Sequence, residues 1–340
     1  MLYKFEFRTY QRKFKRPLQT SHGIWDIREG IILRLIDENN RIGWGEIAPL
    51  SWFGSETFEQ ALDFCQQLPA NISSEMIFAI SAELPACQFG FESALSNEQN
   101  LPPPTPPCQG GEKSENLSQY SGLLPAGETA LQVLPMLWLE GYRTFKWKIG
   151  VAAIEQELKI FQQLIASMHD LADRQTALLR LDANGGLTYS EAQKWLEACD
   201  RVTATPDLAA DIEFLEQPLP IAQFQEMVEL NAIYATAIAL DESAANLDRI
   251  QECYSQGWRG IFVIKPAISG SPSQLRKFCQ THNIDAVFSS VFETKIGRQA
   301  ALNLATELSI NNRALGFGTD SWFDDNQDTW LQHLWQQISQ

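Results

Sequence analysis

Seven short apolar runs in the last two thirds of the chain constrain its fold more than any other feature. Segments with helical periodicity lie between them, so strand and helix alternate along the chain. Near-continuous apolar strands of this kind are buried on both faces, which is typical of a parallel sheet covered by helices. The runs are FKWKI from residue 145, ALLRLD from 177, IEFLE from 212, AIALDE from 237, GIFVIKP from 260, AVFSSVF from 286 and ALGFG from 314.

Polar residues at the carboxyl ends of these runs distinguish a closed barrel from an open sheet. In a barrel the carboxyl ends of the strands meet at one mouth, where enzymes of this fold keep their active sites, whereas an open sheet spreads them along a line. We therefore predict an α/β fold with a modified (β/α) barrel of the TIM type, built from about seven βα units. Six of the runs carry such residues: Lys148, Asp182, Glu216, Asp241, Lys265, and the pair Ser289 and Ser290.

The remainder of the chain reads as a separate domain and a tail. Strand-like alternation followed by helical periodicity predicts an N-terminal α+β domain over residues 1–117, which ends in a Pro-rich linker or insertion. We assign no function to the polyproline stretch at 102–107. The barrel is predicted over 118–320, and a helical C-terminal segment over 321–340 that packs back on the N-terminal domain.

The composition argues against several classes of partner and location. The 42 acidic residues outnumber the 26 basic ones, so the formal net charge is −16 and neither nucleic acid nor an anionic membrane is an expected partner. The six cysteines are widely spaced, and the N-terminus lacks an apolar signal segment. No apolar stretch is long enough to span a bilayer. We expect a reduced, cytoplasmic protein that acts on a small molecule, as a monomer or a homo-oligomer.

Three acidic residues end consecutive predicted strands, namely Asp182, Glu216 and Asp241. A single acidic residue at such a position is usually a helix cap or a solvated loop group. Three that converge repel one another, and a hard divalent cation resolves this repulsion. Carboxylate ligands favour Mg²⁺, with Mn²⁺ as an alternative. A calcium loop at DANGGL is excluded, because Leu187 stands where that loop needs glycine.

Two groups of lysines flank the predicted metal ligands. Lys146 and Lys148 share one face of their strand, because alternate strand residues point to the same side. Lys265 ends a strongly apolar run across the mouth, where desolvation is expected to lower its pKa. Lys146 and Lys148 lie side by side, and their like charges are expected to lower the pKa of one of them. Lysines around a metal suit the removal of a proton next to a carboxylate.

The motifs KWK, LDAN, FLEQP, LDES and VIKP occur in this order, after WGEIAPL and FGSETF in the first domain. Together they resemble the enolase superfamily, in its muconate-lactonising-enzyme-like branch, over nearly the whole chain. Within that branch the chain is most similar to the carbon–oxygen lyases (hydro-lyases) of menaquinone and phylloquinone biosynthesis. These enzymes dehydrate 2-succinyl-6-hydroxy-2,4-cyclohexadiene-1-carboxylate to 2-succinylbenzoate through an enediolate.

This resemblance implies a role for each matching position. Mg²⁺ is bound by the three carboxylates, Lys148 abstracts the α-proton and then protonates the departing hydroxide, and Lys265 stabilises the enediolate as a cation. The N-terminal domain caps the mouth and contributes loops that close over the substrate. Further residues expected to support the metal ligands or to contact substrate are Lys146, Asn184, Glu242, Ser289, Ser290, Ser21, Trp25 and Phe53.

Alternative functions remain open at this point. N-acylamino-acid racemases and dipeptide epimerases of the same superfamily use the same lysines and carboxylates. The Asp-x-Asp pair of dipeptide epimerases is absent, since this chain has Thr319 and Asp320 in FGTDSWF. Muconate lactonisation has no positive feature here. A non-catalytic barrel would be expected to have lost a ligand or a lysine, and all five are present.

Overall fold

The structure is a computed structural model that describes residues 1–20, 23–96, 117–172, 176–318, 322–323 and 327–336. The polyproline stretch, Ser21, and Thr319 with Asp320 lie outside these residues, so the expectations placed on them stay predictions. The described part contains a four-stranded antiparallel sheet and a seven-stranded parallel sheet. In this part of the chain, no helix combines the length and apolar character that crossing a membrane requires.

The N-terminal domain is built on the antiparallel sheet, in which a long hairpin of β1 and β2 lies between β3 and β4. Helix α3 packs directly on β3, because Gly43 and Gly45 have no side chains at the contact. A Cβ atom on Gly43 would lie 1.9 Å from the carbonyl oxygen of Ala94. The elements are β1 (Leu2–Thr20), β2 (Gly23–Ile36), β3 (Ile42–Ile47), α1 (Phe58–Gln67), β4 (Asn71–Ser73), α2 (Ser74–Phe78) and α3 (Pro85–Ser96).

The second sheet follows chain order from β5 to β11, with parallel pairing between neighbouring strands. A short segment closes it into a barrel, because Leu315 bridges to Tyr120 before β5 and Gly316 bridges to Ser289 after β11. The predicted modified (β/α) barrel is thereby confirmed. Its strands are β5 (Ser121–Leu124), β6 (Thr144–Lys148), β7 (Ala177–Asp182), β8 (Ala210–Glu216), β9 (Ile238–Leu240), β10 (Ile261–Ile264) and β11 (Ala286–Phe288).

Two details of the strand prediction were wrong. The barrel begins at β5, one strand earlier than predicted, because Ser121–Leu124 is too short and too poor in apolar residues to stand out in the sequence. The last predicted run, ALGFG, forms only two isolated bridges. Gly316 lies so close to Ser289 that an added Cβ atom would be 2.7 Å from its Oγ, which leaves no room for an ordinary strand residue.

Helices cover the barrel and return to the N-terminal domain. Helix α6 starts at a capping box, in which Thr188 and Glu191 bond each other's backbone N–H groups. The C-terminal helix lies against the antiparallel sheet, with Trp330 edge-on to Tyr10 and Trp335 edge-on to Trp44. The helices are α4 (Thr129–Glu140), α5 (Ile154–Leu171), α6 (Tyr189–Thr203), α7 (Phe224–Ile233), α8 (Leu247–Ser255), α9 (Pro272–His282), α10 (Lys295–Leu308) and α11 (Gln327–Gln336). The division at residues 117 and 320 stays a prediction.

Packing on both faces of β6 determines where its lysines lie. Phe145, Trp147 and Ile149 are fully buried on the outer face. Trp147 packs there against Trp195 of α6, with ring centroids 6.1 Å apart. Lys146 and Lys148 are therefore held on the inner face, above an apolar layer inside the barrel. That layer consists of Phe214, Ala239, Ile261, Val263 and Val287.

Candidate active site

The sheet register brings a lysine and two carboxylates into one row at the carboxyl ends of three strands. Lys148 ends β6 and pairs with Asp182 at the end of β7, which in turn pairs with Glu216 at the end of β8. Asp241 directly follows β9, the next strand of the sheet. Four of the predicted residues are therefore neighbours at the barrel mouth.

Lys146 lies two residues before Lys148 and binds two of these carboxylates. Its Nζ is 2.7 Å from Oε1 of Glu216 and 2.9 Å from Oδ2 of Asp182. Burial alone would lower the pKa of Lys146, but the charges of Asp182, Glu216 and Asp241 raise it. For this lysine the carboxylates therefore outweigh the neighbouring ammonium group.

Four acidic side chains, those of Asp182, Glu216, Asp241 and Glu242, stand against three lysines at the mouth, Lys146, Lys148 and Lys265. Burial, followed by the charges of Asp182 and Asp241, raises the pKa of Glu216 well above its ordinary value, although Lys146 and Lys265 act in the opposite direction. Glu216 is almost fully buried, so solvent cannot relieve this repulsion. The cluster thus has the electrostatic character of a cation site.

The two lysines predicted to be catalytic differ in their partners. The side chain of Lys148 is half-buried and makes no hydrogen bond or ion pair within the described part of the chain. Lys265 contacts the Oδ1 atom of Asp241, and its Nζ lies 3.7 Å from the ring centroid of Phe53. A residue of the N-terminal domain therefore reaches the barrel mouth and covers Lys265.

Asn184 and Glu242 form a second layer around the carboxylates. The backbone N–H of Asn184 donates to Oδ1 of Asp182, and its side-chain Nδ2 donates to Oε1 of Glu242, both at 3.1 Å. Burial, and then the charges of Asp241 and Asp182, raise the pKa of Glu242 to about 7. Asn184 thereby links the loop after β7 to the loop after β9.

The remaining predicted residues lie on the opposite rim or in the N-terminal domain. The hydroxyl of Ser289 donates to the carbonyl of Gly316, and that of Ser290 donates to Oε2 of Glu293 at 3.0 Å. Both serines are thus engaged with their own loop and the barrel-closing segment.

Trp25 belongs to an aromatic cluster that joins the β1–β2 hairpin to the barrel. Its ring is edge-on to Trp52, with centroids 5.0 Å apart, and to Phe292 of the loop after β11, at 5.5 Å. Phe14 contacts both Trp25 and Phe292. The hairpin therefore covers this side of the mouth.

A cavity of about 880 Å³ adjoins the mouth between the N-terminal domain and the loops after β7, β8 and β9. Its walls include Trp52, Phe53, Asn184 and Glu242. This size is typical of sites for small organic molecules. The cavity is continuous with the second layer of the carboxylate cluster.

The donor set at the mouth matches a divalent metal in chemical type. In the described ranges, no three acidic, histidine or cysteine side chains stand already assembled at metal-ligand spacing. Lys146 joins Asp182 to Glu216, and Lys265 binds Asp241. Three buried carboxylates whose charges repel one another nevertheless have the chemistry that a hard cation such as Mg²⁺ prefers. The residues fit a divalent cation in type and position along the sheet.

One important residue was missed by the sequence reasoning. Gln217 directly follows Glu216 and is completely buried, with its side chain bonded to the loop after β9. The signal was its place in FLEQP, since a polar side chain beside a buried strand end needs buried partners.

A (β/α) barrel with carboxylates and lysines at its mouth is one class of enzyme architecture, and comparison with known families agrees with it. Residues 130–333 match the family described as enolase C-terminal domain-like, and residues 9–98 match the family described as MenC, N-terminal domain. The protein is therefore an enzyme of the enolase superfamily.

Similarity to individual proteins narrows this assignment. The chain is 38% identical to an o-succinylbenzoate synthase from Thermosynechococcus vestitus, over 99% of this chain and all of the relative. It is 28% identical to an o-succinylbenzoate synthase from Pasteurella multocida, over 92% of this chain and 88% of the relative. The chain belongs to the o-succinylbenzoate synthase family of carbon–oxygen lyases.

Solved structures agree with this assignment. An o-succinylbenzoate synthase from Thermosynechococcus elongatus, described as complexed with Mg in the active site, superposes with a TM-score of 0.83 at 37% identity and covers 98% of this chain and 100% of that chain. The muconate lactonizing enzyme of Pseudomonas putida gives a TM-score of 0.68 at 18% identity, with 96% and 90% of the two chains covered. The second likeness shows a shared fold alone.

Proposed function

We propose that the protein eliminates water from 2-succinyl-6-hydroxy-2,4-cyclohexadiene-1-carboxylate to form 2-succinylbenzoate, in the cytoplasm, as a step of menaquinone or phylloquinone biosynthesis. One observation carries this proposal. Lys148 stands without a partner among the described residues, in one row with two carboxylates, while Lys146 and Lys265 are each bound to an acid. The names of the relatives supply the substrate and the pathway.

In the proposed reaction Lys148 acts first as a base and then as an acid. Its neutral amine takes the proton from ring carbon C1, and the released electron pair forms the enediolate of the adjacent carboxylate. The electrons then form the C1–C6 double bond as the C6–oxygen bond breaks. The Lys148 ammonium returns its proton to the departing hydroxide, so water leaves and the ring becomes aromatic. Lys265 remains protonated and stabilises the enediolate.

We propose that Asp182, Glu216 and Asp241 hold Mg²⁺, with Mn²⁺ as a possible substitute. A bound divalent ion supplies charge stabilisation for the negative oxygens that develop on the substrate carboxylate. The support is the burial of the three carboxylates and the repulsion that Glu216 receives from Asp182 and Asp241, together with the magnesium in the related structure. Lys146, Asn184 and Glu242 would then orient the ligands, whereas Ser289, Ser290, Ser21, Trp25 and Phe53 would contact substrate or support the loops that do.

The proposal is tested by incubating the purified protein with Mg²⁺ and the cyclohexadiene substrate while the absorbance of the aromatic product is recorded. Chelation should abolish turnover, and added Mg²⁺ should restore it. Full turnover by metal-free protein would refute the metal role. Absence of aromatic product in the presence of Mg²⁺ would refute the dehydration.

A further inference from the structure

We propose that Gln217 is a positioning residue that fixes the loops bearing the three carboxylates and so prepares them for a divalent cation. The inference rests on the proposed function, because it concerns the same metal site. Gln217 directly follows Glu216 at the end of β8 and has no solvent exposure. It lies within the wall of the cavity, where its side chain is enclosed by the loops that it joins.

The side-chain amide of Gln217 uses its full hydrogen-bonding capacity. Its Oε1 accepts from the backbone N–H groups of Asp241 and Ser243, each at 3.1 Å. Its Nε2 donates to Oγ of Ser243 at 2.8 Å and to the carbonyl of Leu219 at 3.0 Å. An amide offers two acceptor positions and two donors, so each is occupied. Reversing the amide would place N–H against N–H, which fixes its orientation.

The backbone of Gln217 makes two further hydrogen bonds, one to β9 and one to the loop after β7. Its N–H donates to the carbonyl of Ala239 in β9 at 2.8 Å, and its carbonyl accepts from Gly185, after β7, at 2.7 Å. Its φ angle of 37° lies in the left-handed region, which is unfavourable for a residue with a side chain. Such a conformation persists where the surroundings determine it, and it is concentrated at functional sites.

These bonds bear on the geometry of the metal ligands. The N–H of Asp241 donates to Gln217, which directly follows Glu216 in the chain. This bond fixes the backbone of Asp241 relative to that of Glu216. The bond from Gly185 restrains the loop that follows Asp182 in the same way. Outer residues that orient ligands in this manner commonly change metal affinity by about 10- to 100-fold when they are replaced.

The test measures Mg²⁺ affinity by isothermal titration calorimetry for wild type, Gln217→Met, Ser243→Ala and the matched control Gln88→Met. Methionine keeps the length of the side chain and removes its hydrogen bonds. Gln88 of α3 is also a buried glutamine, but its Nε2 donates to the carbonyl of Ile80 within the N-terminal domain and not to a loop that bears a ligand.

We expect Gln217→Met to weaken Mg²⁺ binding by at least about tenfold. Ser243→Ala keeps both bonds accepted by Oε1, and its loss should be about threefold. Gln88→Met should lower the unfolding temperature and bind Mg²⁺ as wild type does. Because the defect lies in metal binding, high Mg²⁺ should restore most of the kcat of Gln217→Met, which a general folding defect would not allow.

Equal Mg²⁺ affinity in wild type and Gln217→Met would overturn the inference, as would an equal loss in Gln88→Met. If Gln217→Met does not fold, Ser243→Ala decides: a loss of affinity relative to Gln88→Met supports the role of Gln217, and wild-type affinity contradicts it. Wild-type protein that takes up no Mg²⁺ would refute the metal site itself. Normal uptake by all four proteins would refute only the positioning role.

Discussion

Two charged clusters lie in the barrel, and they differ in whether their charges are balanced. The floor cluster, toward the amino ends of the strands, consists of Arg180, Glu213, Asp285 and Arg313. Glu213 accepts from Nε of Arg180 at 2.6 Å and from Nη1 of Arg313 at 2.9 Å. Arg313 also donates to both carboxylate oxygens of Asp285. Two cations and two anions therefore balance one another in charge, although Nη2 of Arg180 has no hydrogen-bond partner among the described residues.

The mouth cluster, formed by Asp182, Glu216, Asp241 and the lysines bound to them, is not balanced in this way. Hydrogen bonds and charge from Arg313 lower the pKa of Asp285 in spite of its burial, whereas burial and like charges raise the pKa of Glu216. Arginine provides a rigid, permanently charged fork, while lysine is a compact donor that can lose its proton. The floor charges are therefore neutralised by their own partners, whereas Glu216 at the mouth remains exposed to like-charge repulsion.

The largest expected effect is on catalysis at the mouth. Lys148→Ala removes the proposed base, so kcat for dehydration should fall by up to about 10⁴-fold. Stability should change little, because Lys148 has no partner within the described residues. Steady-state kinetics and chemical denaturation measure the two effects. Lys159→Ala, at an exposed position of α5, is the control and should match wild type in both. Residual turnover near the wild-type rate would exclude Lys148 as the base.

A matched pair of glutamate substitutions tests the contrast in stability. Glu213→Gln leaves the buried guanidinium of Arg180 without its carboxylate and should cost about 3 kcal/mol of unfolding free energy. Glu216→Gln removes a carboxylate whose ionisation is unfavourable, and Lys146 keeps Asp182. In metal-free buffer this second variant should be at least as stable as wild type. Urea titrations of both variants provide the comparison, and equal destabilisation would remove the distinction between mouth and floor.

Most residues of the mouth could be predicted from the sequence, because each is marked by a pattern within its own strand. Alternation along β6 placed Lys146 and Lys148 opposite Phe145 and Trp147, and the structure has the same arrangement. A polar residue that ends an apolar run marks the carboxyl end of a strand wherever the sheet is parallel. Convergence of those ends then follows from closure of the barrel.

The floor cluster could not be predicted by the same reasoning. Counting back from Glu216 places Glu213 on the opposite face of a regular strand. A register irregularity between β7 and β8 pairs Leu179 with Ile212 and Arg180 with Phe214, so Glu213 is left as the bulged residue. Its partner Arg313 is 100 residues away in sequence. Such contacts depend on tertiary structure, as do the bonds of Gln217, and no local pattern contains them.

Burial and like charge also raise a carboxyl pKa at the rim of the mouth, and this should make the stability of the protein depend on pH. Glu293 is buried beside Glu46, and burial first, then this neighbour, raises its pKa to about 7. The folded protein therefore binds this proton more tightly than the unfolded chain does. The stabilisation is fully present below the ordinary pKa of 4.5 and is lost as pH rises through 7.

Relative to Glu293→Gln, wild type should lose up to about 3 kcal/mol of unfolding free energy between pH 4.5 and pH 8. Denaturation of both proteins across this range measures the difference. Oε1 of Glu293 has no hydrogen-bond partner among the described residues, whereas Oε2 accepts from Ser290 and Val291. The amide oxygen of Glu293→Gln can still accept the hydrogen bonds from Ser290 and Val291. A stability difference that does not vary with pH would show that Glu293 ionises as an ordinary carboxyl does.

The smallest effect, and the one that separates dehydration from racemisation, concerns Lys265. Dehydration needs one base, because Lys148 takes and returns the proton, whereas racemisation needs proton exchange on both faces of the α-carbon and hence two titrating lysines. Lys265→Arg keeps the positive charge beside Asp241 and Phe53 in a wider shape. Its kcat for dehydration should fall by only about 10- to 100-fold, because electrostatic stabilisation is weakened and not removed. Wild-type kcat/KM for an N-acylamino acid, measured at the same Mg²⁺ concentration, should be much lower than for the cyclohexadiene substrate. Complete loss of dehydration in Lys265→Arg, equal to that in Lys148→Ala, would instead indicate that both lysines move protons.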